Sequence, residues 1–144
     1  RRPEPDVFFT DSSGGELMGT RAVTDDGPAY FTHPLVRGDD YSRLYEFFTS
    51  FEGVQGDTVT TELDITGRTY SGSIAATLGG TVVATPTITV VNAALGQITV
   101  AMSDTITDQL TAARYIFDVV ENPGTSSERT VILGLYNMTG RATA

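Results

Sequence analysis

Few residues of this chain have the chemistry that catalysis requires. Among 144 residues there is one histidine, His33, and no cysteine, and all nine basic residues are arginines. A catalytic triad needs a base beside its nucleophile and a third group that orients the base, and a histidine-rich metal site needs several ligands. His33, which precedes Pro34, is therefore interpreted as a junction residue without a chemical role. The sequence indicates no enzyme, and it assigns no catalytic residue, metal ligand or cofactor.

Paired carboxylates are the remaining candidates for acid–base chemistry. Asp25-Asp26 and Asp39-Asp40 are adjacent pairs, so in an extended strand the two side chains of a pair would point to opposite faces. Both pairs lie beside turn residues, and we interpret them as parts of turns. No Asp-x-Asp-x-Asp-Gly loop and no phosphate-binding glycine-rich loop is present, although a calcium site formed by converging loops stays open. A hydrolase built on acidic residues such as Asp39 and Asp64 is kept as a third class of function.

Two tripeptides match short binding or modification motifs. Arg37-Gly38-Asp39 spells the integrin-type tripeptide, and Asn137-Met138-Thr139 spells an N-glycosylation acceptor. Matches of three residues are frequent by chance. Because both lie at the ends of predicted strands, we interpret them as accidental.

The composition restricts the class of partner. The formal net charge is -9 and the pI is near 4.3, whereas non-specific nucleic-acid binding needs a basic surface. Residues 1–72 carry 13 acids and 6 arginines, against 5 and 3 in residues 73–144. No apolar run approaches the roughly 18 residues of a membrane span, and the first residues lack the apolar core of a signal peptide. We therefore expect neither a nucleic-acid nor a membrane partner.

From Leu35 onwards, short β-prone runs alternate with turn residues. Tyr41 to Phe51 could be a strand or an aromatic helix, and its composition and length favour the strand. The other predicted strands span residues 57–63, 68–78, 81–84, 87–91, 97–102, 114–121 and 129–138. The pair Gly79-Gly80 predicts a hairpin turn. A short helical turn is predicted within residues 103–112, capped by Ser103 or Asp104.

This pattern predicts an all-β fold, a single antiparallel β-sandwich with one short helical turn. The inner face of the sandwich is predicted to hold Ile74, Ile98, Val100, Tyr115, Phe117 and Ile132. Residues 33–144 are assigned to this sandwich domain.

Residues 1–32 are predicted to form an extended N-terminal arm, because their apolar groups occur only in short islands between proline, glycine and aspartate. Phe8, Phe9, Tyr30 and Phe31 would be costly to leave in water, so they are the predicted partner-binding residues. The alternative is a disordered leader.

Several motifs, taken in order along the chain, resemble one family. They are Arg37-Gly38-Asp39-Asp40, Leu63-Asp64-Ile65-Thr66-Gly67-Arg68-Thr69, Gly96-Gln97-Ile98-Thr99-Val100, the Thr105 to Leu110 turn, Ala113-Arg114-Tyr115-Ile116-Phe117-Asp118 and Thr130 to Leu135. From about Pro34 to Ala144 the chain is similar to the immunoglobulin-like module found at the N-terminus of siphophage upper baseplate proteins and in small tail and appendage proteins of tailed phages. The resemblance implies an immunoglobulin-like sandwich that is non-enzymatic and acts in attachment and assembly. Residues 1–32 lie outside the usual module, and we expect no fibre or receptor-binding part after Ala144.

The resemblance leads to an expected function. The chain is expected to be a non-enzymatic structural component of a tailed-phage virion, docking by its sandwich and N-terminal arm onto an oligomeric baseplate, tail or appendage assembly. Its partners would be other virion proteins and copies of itself, and its location the virion. One alternative is a capsid decoration (cement) protein that stabilises the head. A second is a carbohydrate- or receptor-binding module, although tryptophan, the usual sugar-stacking residue, is absent.

Overall fold

The computed structural model describes the backbone of residues 6–10, 16–24, 27–52 and 58–140, and the side chains of residues 20–24, 27–49 and 61–140. Within these ranges the chain forms eleven strands and one short helix. In chain order they are β1 (Asp6–Thr10), β2 (Glu16–Val23), β3 (Ala29–Val36), β4 (Tyr41–Glu52), β5 (Thr58–Glu62), β6 (Tyr70–Ala75), β7 (Val82–Ala84), β8 (Thr87–Asn92), β9 (Gln97–Met102), α1 (Asp104–Asp108), β10 (Arg114–Glu121) and β11 (Arg129–Thr139).

The strands form two facing sheets. One sheet has six strands in the order β1-β2-β4-β9-β8, with β5 paired to the second half of β4. The other sheet has five strands in the order β3-β11-β10-β6-β7. Side chains from both sheets enclose one core, so the chain is an all-β sandwich, as predicted. The predicted helical turn is also present as α1, whose first turn is capped by the Ser103 side chain.

Both sheets are mixed, which corrects the expectation of a wholly antiparallel sandwich. Strand β2 runs parallel to β4, and β3 runs parallel to β11, whereas the other pairs are antiparallel. A parallel pair needs a crossover connection, and β3, which lies in the opposite sheet, is the crossover between β2 and β4. Both parallel pairs use a strand that begins within the first 32 residues, where no strand was predicted.

The described part of residues 1–32 belongs to the sandwich and is not an arm outside it. Ala22 and Val23 of β2, and Ala29 and Phe31 of β3, are buried in the interior. The predicted boundary before residue 33 therefore falls inside β3. Short apolar islands are enough to form a strand of the sandwich, because such a strand needs to bury only alternate residues. In β3, buried and exposed residues alternate along the whole strand. Residues 1–5, 11–15 and 25–26 of the predicted arm lie outside the described residues.

The core lies between the two sheets and contains many aromatic rings. All six residues predicted for the inner face are buried, which confirms that prediction. The largest fully buried side chains are Tyr45, Tyr136, Phe47, Phe117, Leu35, Ile65, Ile74, Ile98, Leu110, Ile132, Val100 and Val119.

His33 is part of this core, so its interpretation as a junction residue is wrong. It lies within β3 and is buried. Its Nε2 atom is 2.8 Å from the hydroxyl oxygen of Tyr45, which links β3 to β4 in the opposite sheet. The imidazole also stacks between Phe31 and Phe117, with ring centroids 5.6 Å and 6.0 Å away. A buried polar ring is tolerated here because it is hydrogen-bonded and packed against aromatic faces.

Gly134 of β11 makes room for this aromatic packing. It pairs with Phe117 on one side and with Phe31 on the other. A Cβ atom at this position would lie against the carbonyl oxygen of Phe31 and 2.7 Å from Cε1 of Phe117. The missing side chain lets the Phe117 ring stack on Tyr136 with 4.2 Å between centroids. A glycine is therefore required for steric reasons in the middle of a strand.

A cluster around the buried carboxylate of Glu121 closes the core at the end of β10. The Tyr70 hydroxyl donates to Glu121 at 2.7 Å, and the guanidinium groups of Arg68 and Arg129 each approach it to 3.3 Å. Arg129 Nη1 also donates to the carbonyl oxygen of Thr24 at 2.8 Å, which ties the end of β2 to the opposite sheet. Burial alone would raise the pKa of the Glu121 carboxyl, but the Tyr70 hydrogen bond and the two arginines outweigh it and lower that pKa.

Replacing Gly134 by alanine should destabilise the protein by about 1–3 kcal/mol, because the new methyl group must displace a backbone carbonyl and a packed ring. The loss is measured as the change in free energy of unfolding in urea. The matched control is Gly140→Ala, directly after the end of β11. The nearest atom to a new Cβ there is 4.0 Å away, so we expect a change within about 0.5 kcal/mol. Equal stability of both variants would contradict the steric role of Gly134.

Replacing Glu121 by glutamine should lower the free energy of unfolding at pH 7 by about 2 kcal/mol, since two guanidinium groups lose their anionic partner. A carboxyl with a lowered folded pKa contributes stability that is present above its unfolded pKa of about 4.3 and is lost as the pH falls through the folded pKa. The difference between wild type and variant should therefore shrink below about pH 4.

Urea unfolding from pH 7 to pH 3 measures this difference. Glu62→Gln, which changes an exposed glutamate of β5, serves as the control and should alter stability by less than about 0.5 kcal/mol. A pH-independent difference between wild type and Glu121→Gln would show that the carboxylate charge plays no part.

Candidate docking surface

The four predicted partner-binding aromatics do not form one cluster. Phe8 and Phe9 lie on β1 in the six-stranded sheet, and their side chains fall outside the described residues. Tyr30 and Phe31 lie on β3 in the five-stranded sheet. Tyr30 is 40% exposed, whereas Phe31 is 3% exposed and packs in the core. Phe31 is thus a wrong prediction for partner binding, because adjacent residues of a strand point to opposite faces and Tyr30 takes the outer one.

Tyr30 belongs to a surface on the outside of the five-stranded sheet. The strand register aligns Tyr30, Leu133, Asp118 and Ser73 in one row across four strands, and Thr32, Leu135, Ile116 and Ala75 in the next. We call these two rows the outer face. At a spacing of about 4.8 Å between strands, each row is about 14 Å wide.

The centre of the outer face is apolar. Leu133 and Leu135 of β11, and Ile116 of β10, are only partly buried. Val120 lies on the same side of β10, two residues after Asp118. These four apolar side chains surround Asp118. A sheet face that is meant for water normally alternates with polar residues on its central strands, and this face does not.

Asp118 is the one charged side chain in the two rows. Its carboxylate oxygen Oδ1 is buried among these neighbours and has no hydrogen-bond partner among the described residues. Burial raises the pKa of Asp118, and a hydrogen bond from the backbone of Ser73 offsets this only in part. The buried Oδ1 atom without a donor is costly, and a partner that covers the rest of this partly exposed side chain would add to that cost unless it offers a donor.

The Arg37-Gly38-Asp39 tripeptide has a structural role. It forms the turn between β3 and β4 and is held against the α1 segment. The Arg37 side chain donates to the carbonyl oxygen of Leu110 at 2.9 Å. The Gly38 N–H donates to the Thr107 hydroxyl at 3.1 Å, and that hydroxyl donates to the Asp39 carbonyl oxygen at 2.7 Å. These bonds explain why the motif is present without invoking a receptor.

The other acidic candidates also act in turns. Asp40 accepts a hydrogen bond from the N–H of Asp104 at 2.8 Å, next to the start of α1. Asp64 accepts from the N–H and hydroxyl of Thr66 at 2.9 Å and 2.6 Å, and these bonds lower the pKa of the Asp64 carboxyl. Asp25-Asp26 lies outside the described residues. Asp64 thus has its partner within its own turn, whereas Asp40 connects the segment between β3 and β4 to the start of α1.

Neither a metal cluster nor a membrane-spanning helix occurs in the described ranges. No group of three His, Cys, Asp or Glu side chains there lies close enough to hold a metal ion. No helix in the same ranges is long and apolar enough to cross a membrane.

The sequence analysis missed the outer face, although a signal for it is present. The run from Val131 to Tyr136 is apolar apart from Gly134, and Tyr115 to Val120 is apolar apart from Asp118. Strands that are apolar in both alternating sets of positions are typical of sheets covered on both sides. The alternation of these strands therefore indicates a second apolar face in addition to the inner one.

Replacing Asp118 by asparagine should stabilise the isolated protein at neutral pH. An acid whose folded pKa is raised lowers stability as the pH rises from its unfolded pKa of about 3.9 towards the folded value, because the unfolded chain ionises first. Asparagine removes this charge and keeps an acceptor for Ser73. The gain in thermal midpoint should therefore appear at pH 7 and vanish near pH 3.

Asp64→Asn gives the matched control with the opposite sign. Its carboxyl has a lowered pKa in the folded protein, so its removal should lower the thermal midpoint at pH 7, with the effect fading as the pH falls through that pKa. A loss of stability in Asp118→Asn at pH 7 would contradict the conclusion that burial disfavours the charged form of Asp118.

Comparison with family models and with curated proteins finds no match. The similarity to the phage immunoglobulin-like module therefore rests on the order of the degenerate motifs between Arg37 and Leu135, and the family assignment enters below as a proposal.

Proposed function

We propose that this protein is a non-enzymatic structural component of a tailed-phage virion, with an immunoglobulin-like sandwich that docks onto an oligomeric baseplate, tail or appendage assembly. The observation that carries the proposal is the outer face, because β10 and β11 present apolar side chains away from the core as well as towards it. A subunit whose sheet is covered by a neighbour requires such a second face, whereas a solitary domain does not. The ordered motifs supply the class of assembly.

The outer face suits a protein partner. It is a sheet surface with leucine and isoleucine at its centre and the exposed ring of Tyr30 at one end of a row. Tyrosine is among the residues that contribute most at interfaces, and apolar central contacts surrounded by polar groups are the usual arrangement. Thr32 and Ser73 supply polar groups at the ends of the rows.

Asp118 specifies the chemistry of that partner. Asp118 is only partly buried in the isolated chain, and its Oδ1 atom has no donor among the described residues, so a surface that covers the rest of the carboxylate must offer it an N–H or guanidinium donor or leave a buried charge unpaired. We therefore propose a neighbouring virion subunit that places an apolar strip over the rows and one donor opposite Asp118. A single charged hydrogen bond inside an apolar contact fixes register and partner choice more than affinity.

The N-terminal aromatics have a reduced part in the proposal. Phe8 and Phe9 stay as partner-binding residues on β1, which ends its sheet among the described strands. Tyr30 stays as a contact of the outer face, and Phe31 is removed because it is a core residue.

The proposal is tested by supplying Leu135→Lys in place of the wild-type chain during virion assembly. A lysine in the second row should reduce incorporation at least tenfold, corresponding to about 1.4 kcal/mol or more of lost contact. The measurement is quantitative mass spectrometry on heads and tails that are purified separately. Wild-type chain in the tail fraction supports the baseplate, tail or appendage role, and wild-type chain in the head fraction supports the decoration role instead.

Ser126→Lys, which changes an exposed residue in the turn between β10 and β11, is the matched control and should be incorporated like wild type. Circular dichroism and thermal unfolding verify that both variants are folded. Normal incorporation of folded Leu135→Lys would overturn the role of the outer face. Absence of the wild-type chain from heads and tails alike would overturn the virion assignment.

A further inference from the structure

Strands β7 and β8 form an open edge on one side of the sandwich. They are consecutive strands joined by Thr85 and Pro86, and each is the last strand of its own sheet among the described strands. Within the described side chains, five of the seven exposed large apolar residues fall between residues 78 and 91. They are Leu78, Val82, Val83, Val90 and Val91, and they are 41–74% exposed.

This edge lacks the usual protection against strand pairing. Natural edge strands are commonly blocked by charged side chains or by proline, because their unpaired N–H and C=O groups otherwise bind another strand. β8 has the sequence Thr-Ile-Thr-Val-Val-Asn, with neither a charge nor a proline. Pro86 precedes it, and the irregularity near Val91 leaves Thr87 to Val90 as its regular part.

The edge also lies within an uncharged part of a strongly charged chain. The 35 residues from Thr69 to Ser103 include no Asp, Glu, Arg, Lys or His, although the whole chain carries a net charge of -9. Strands β6, β7, β8 and β9 are all formed from this stretch. The acidic groups that would repel a like-charged body are therefore absent from these four strands.

We propose that β8 pairs with β8 of a second copy of this chain, in antiparallel orientation about a two-fold axis. Two copies repel each other through their net charge, so close approach is least unfavourable where both surfaces are neutral. An antiparallel strand pair is self-complementary under a two-fold axis, which makes the contact isologous and closed. Its outward Thr87 and Thr89 and its exposed Val90 are β-branched, and such side chains are favoured in cross-strand pairs. This inference does not depend on the outer face, which is on different strands.

Cysteine cross-linking tests the geometry directly. The chain contains no cysteine, so a single introduced cysteine can form a disulfide only with the same residue of another copy. Under a two-fold axis one residue of β8 faces itself, at the Cα separation of about 4.5–5.5 Å that a disulfide accepts. We expect one position among residues 87–92 to form a dimer much faster than its neighbours under mild oxidation of the full 144-residue protein. Ser126→Cys, at an exposed serine in the turn between β10 and β11, is the reference.

Sedimentation and light scattering of the same protein test the association without a cross-link. The wild-type chain should show a concentration-dependent dimer of the 15.4 kDa protomer, and its dimer fraction should rise as salt screens the repulsion between acidic copies. Val90→Lys should raise the dissociation constant at least tenfold. Val36→Lys, at a valine of similar exposure on β3, should leave it unchanged.

The results of these measurements either support or overturn the proposed pairing of β8. Position-specific cross-linking together with the effect of Val90→Lys supports the pairing. Cross-linking no faster than that of Ser126→Cys at every position, a monomer at all concentrations, or equal effects of the two lysine variants would overturn it. A dimer fraction that falls with added salt would also overturn it, since it would indicate attraction between opposite charges.

Discussion

Aromatic rings from both sheets form one layer in the core, and this layer determines how β3 sits in the fold. The hydrogen bond between His33 and Tyr45 joins the two sheets, and the Phe117 ring stacks on Tyr136 in the gap that Gly134 leaves. Since side chains alternate along a strand, burying Phe31 and His33 places Tyr30 and Thr32 on the outside. The outer face is therefore a direct consequence of what the inner face requires. A change in the register of β3 by one residue would exchange the two sets.

The two buried or partly buried carboxylates of β10 differ in how well they are paired. At one end of β10 the Glu121 carboxylate is surrounded by Tyr70, Arg68 and Arg129, and Arg129 extends the contact to Thr24. A buried carboxylate with two cationic partners and a hydroxyl donor is well satisfied. Asp118 is not, because its row contains no cationic side chain and its Oδ1 atom has no hydrogen-bond partner among the described residues. Satisfied ionic groups thus hold the sandwich together, while the unsatisfied carboxylate and the uncharged strands lie where we propose contacts with other chains.

Most of the strands after residue 40 were predictable from alternation and turn residues. β9 and β10 have the predicted bounds, and the Ser103 cap identified the short helix. Four features were not recognised in this way. His33 could not be placed, because its sequence neighbours do not reveal which rings it will meet across the sheets. β2 could not be recognised, because its pairing partner β4 is separated from it by a whole strand of the opposite sheet. The outer face becomes visible only when the residues at both alternating sets of positions in a strand are considered together. The neutral run from Thr69 to Ser103 becomes visible only when the distribution of charged residues along the chain is considered.

The parallel pairing of β3 with β11 has a consequence for how the chain folds. Among the described strands β11 is the only in-sheet partner of β3, and the paired residues Phe31 and Gly134 are 103 positions apart. Closing so long a loop must precede any gain from the contact, which slows folding. During synthesis at about 5–20 residues per second, β3 waits on the order of 5–20 s before its partner strand exists. Until β11 is synthesised, Tyr30 and Phe31 cannot take their native positions in the five-stranded sheet. This sheet is therefore completed only late in synthesis.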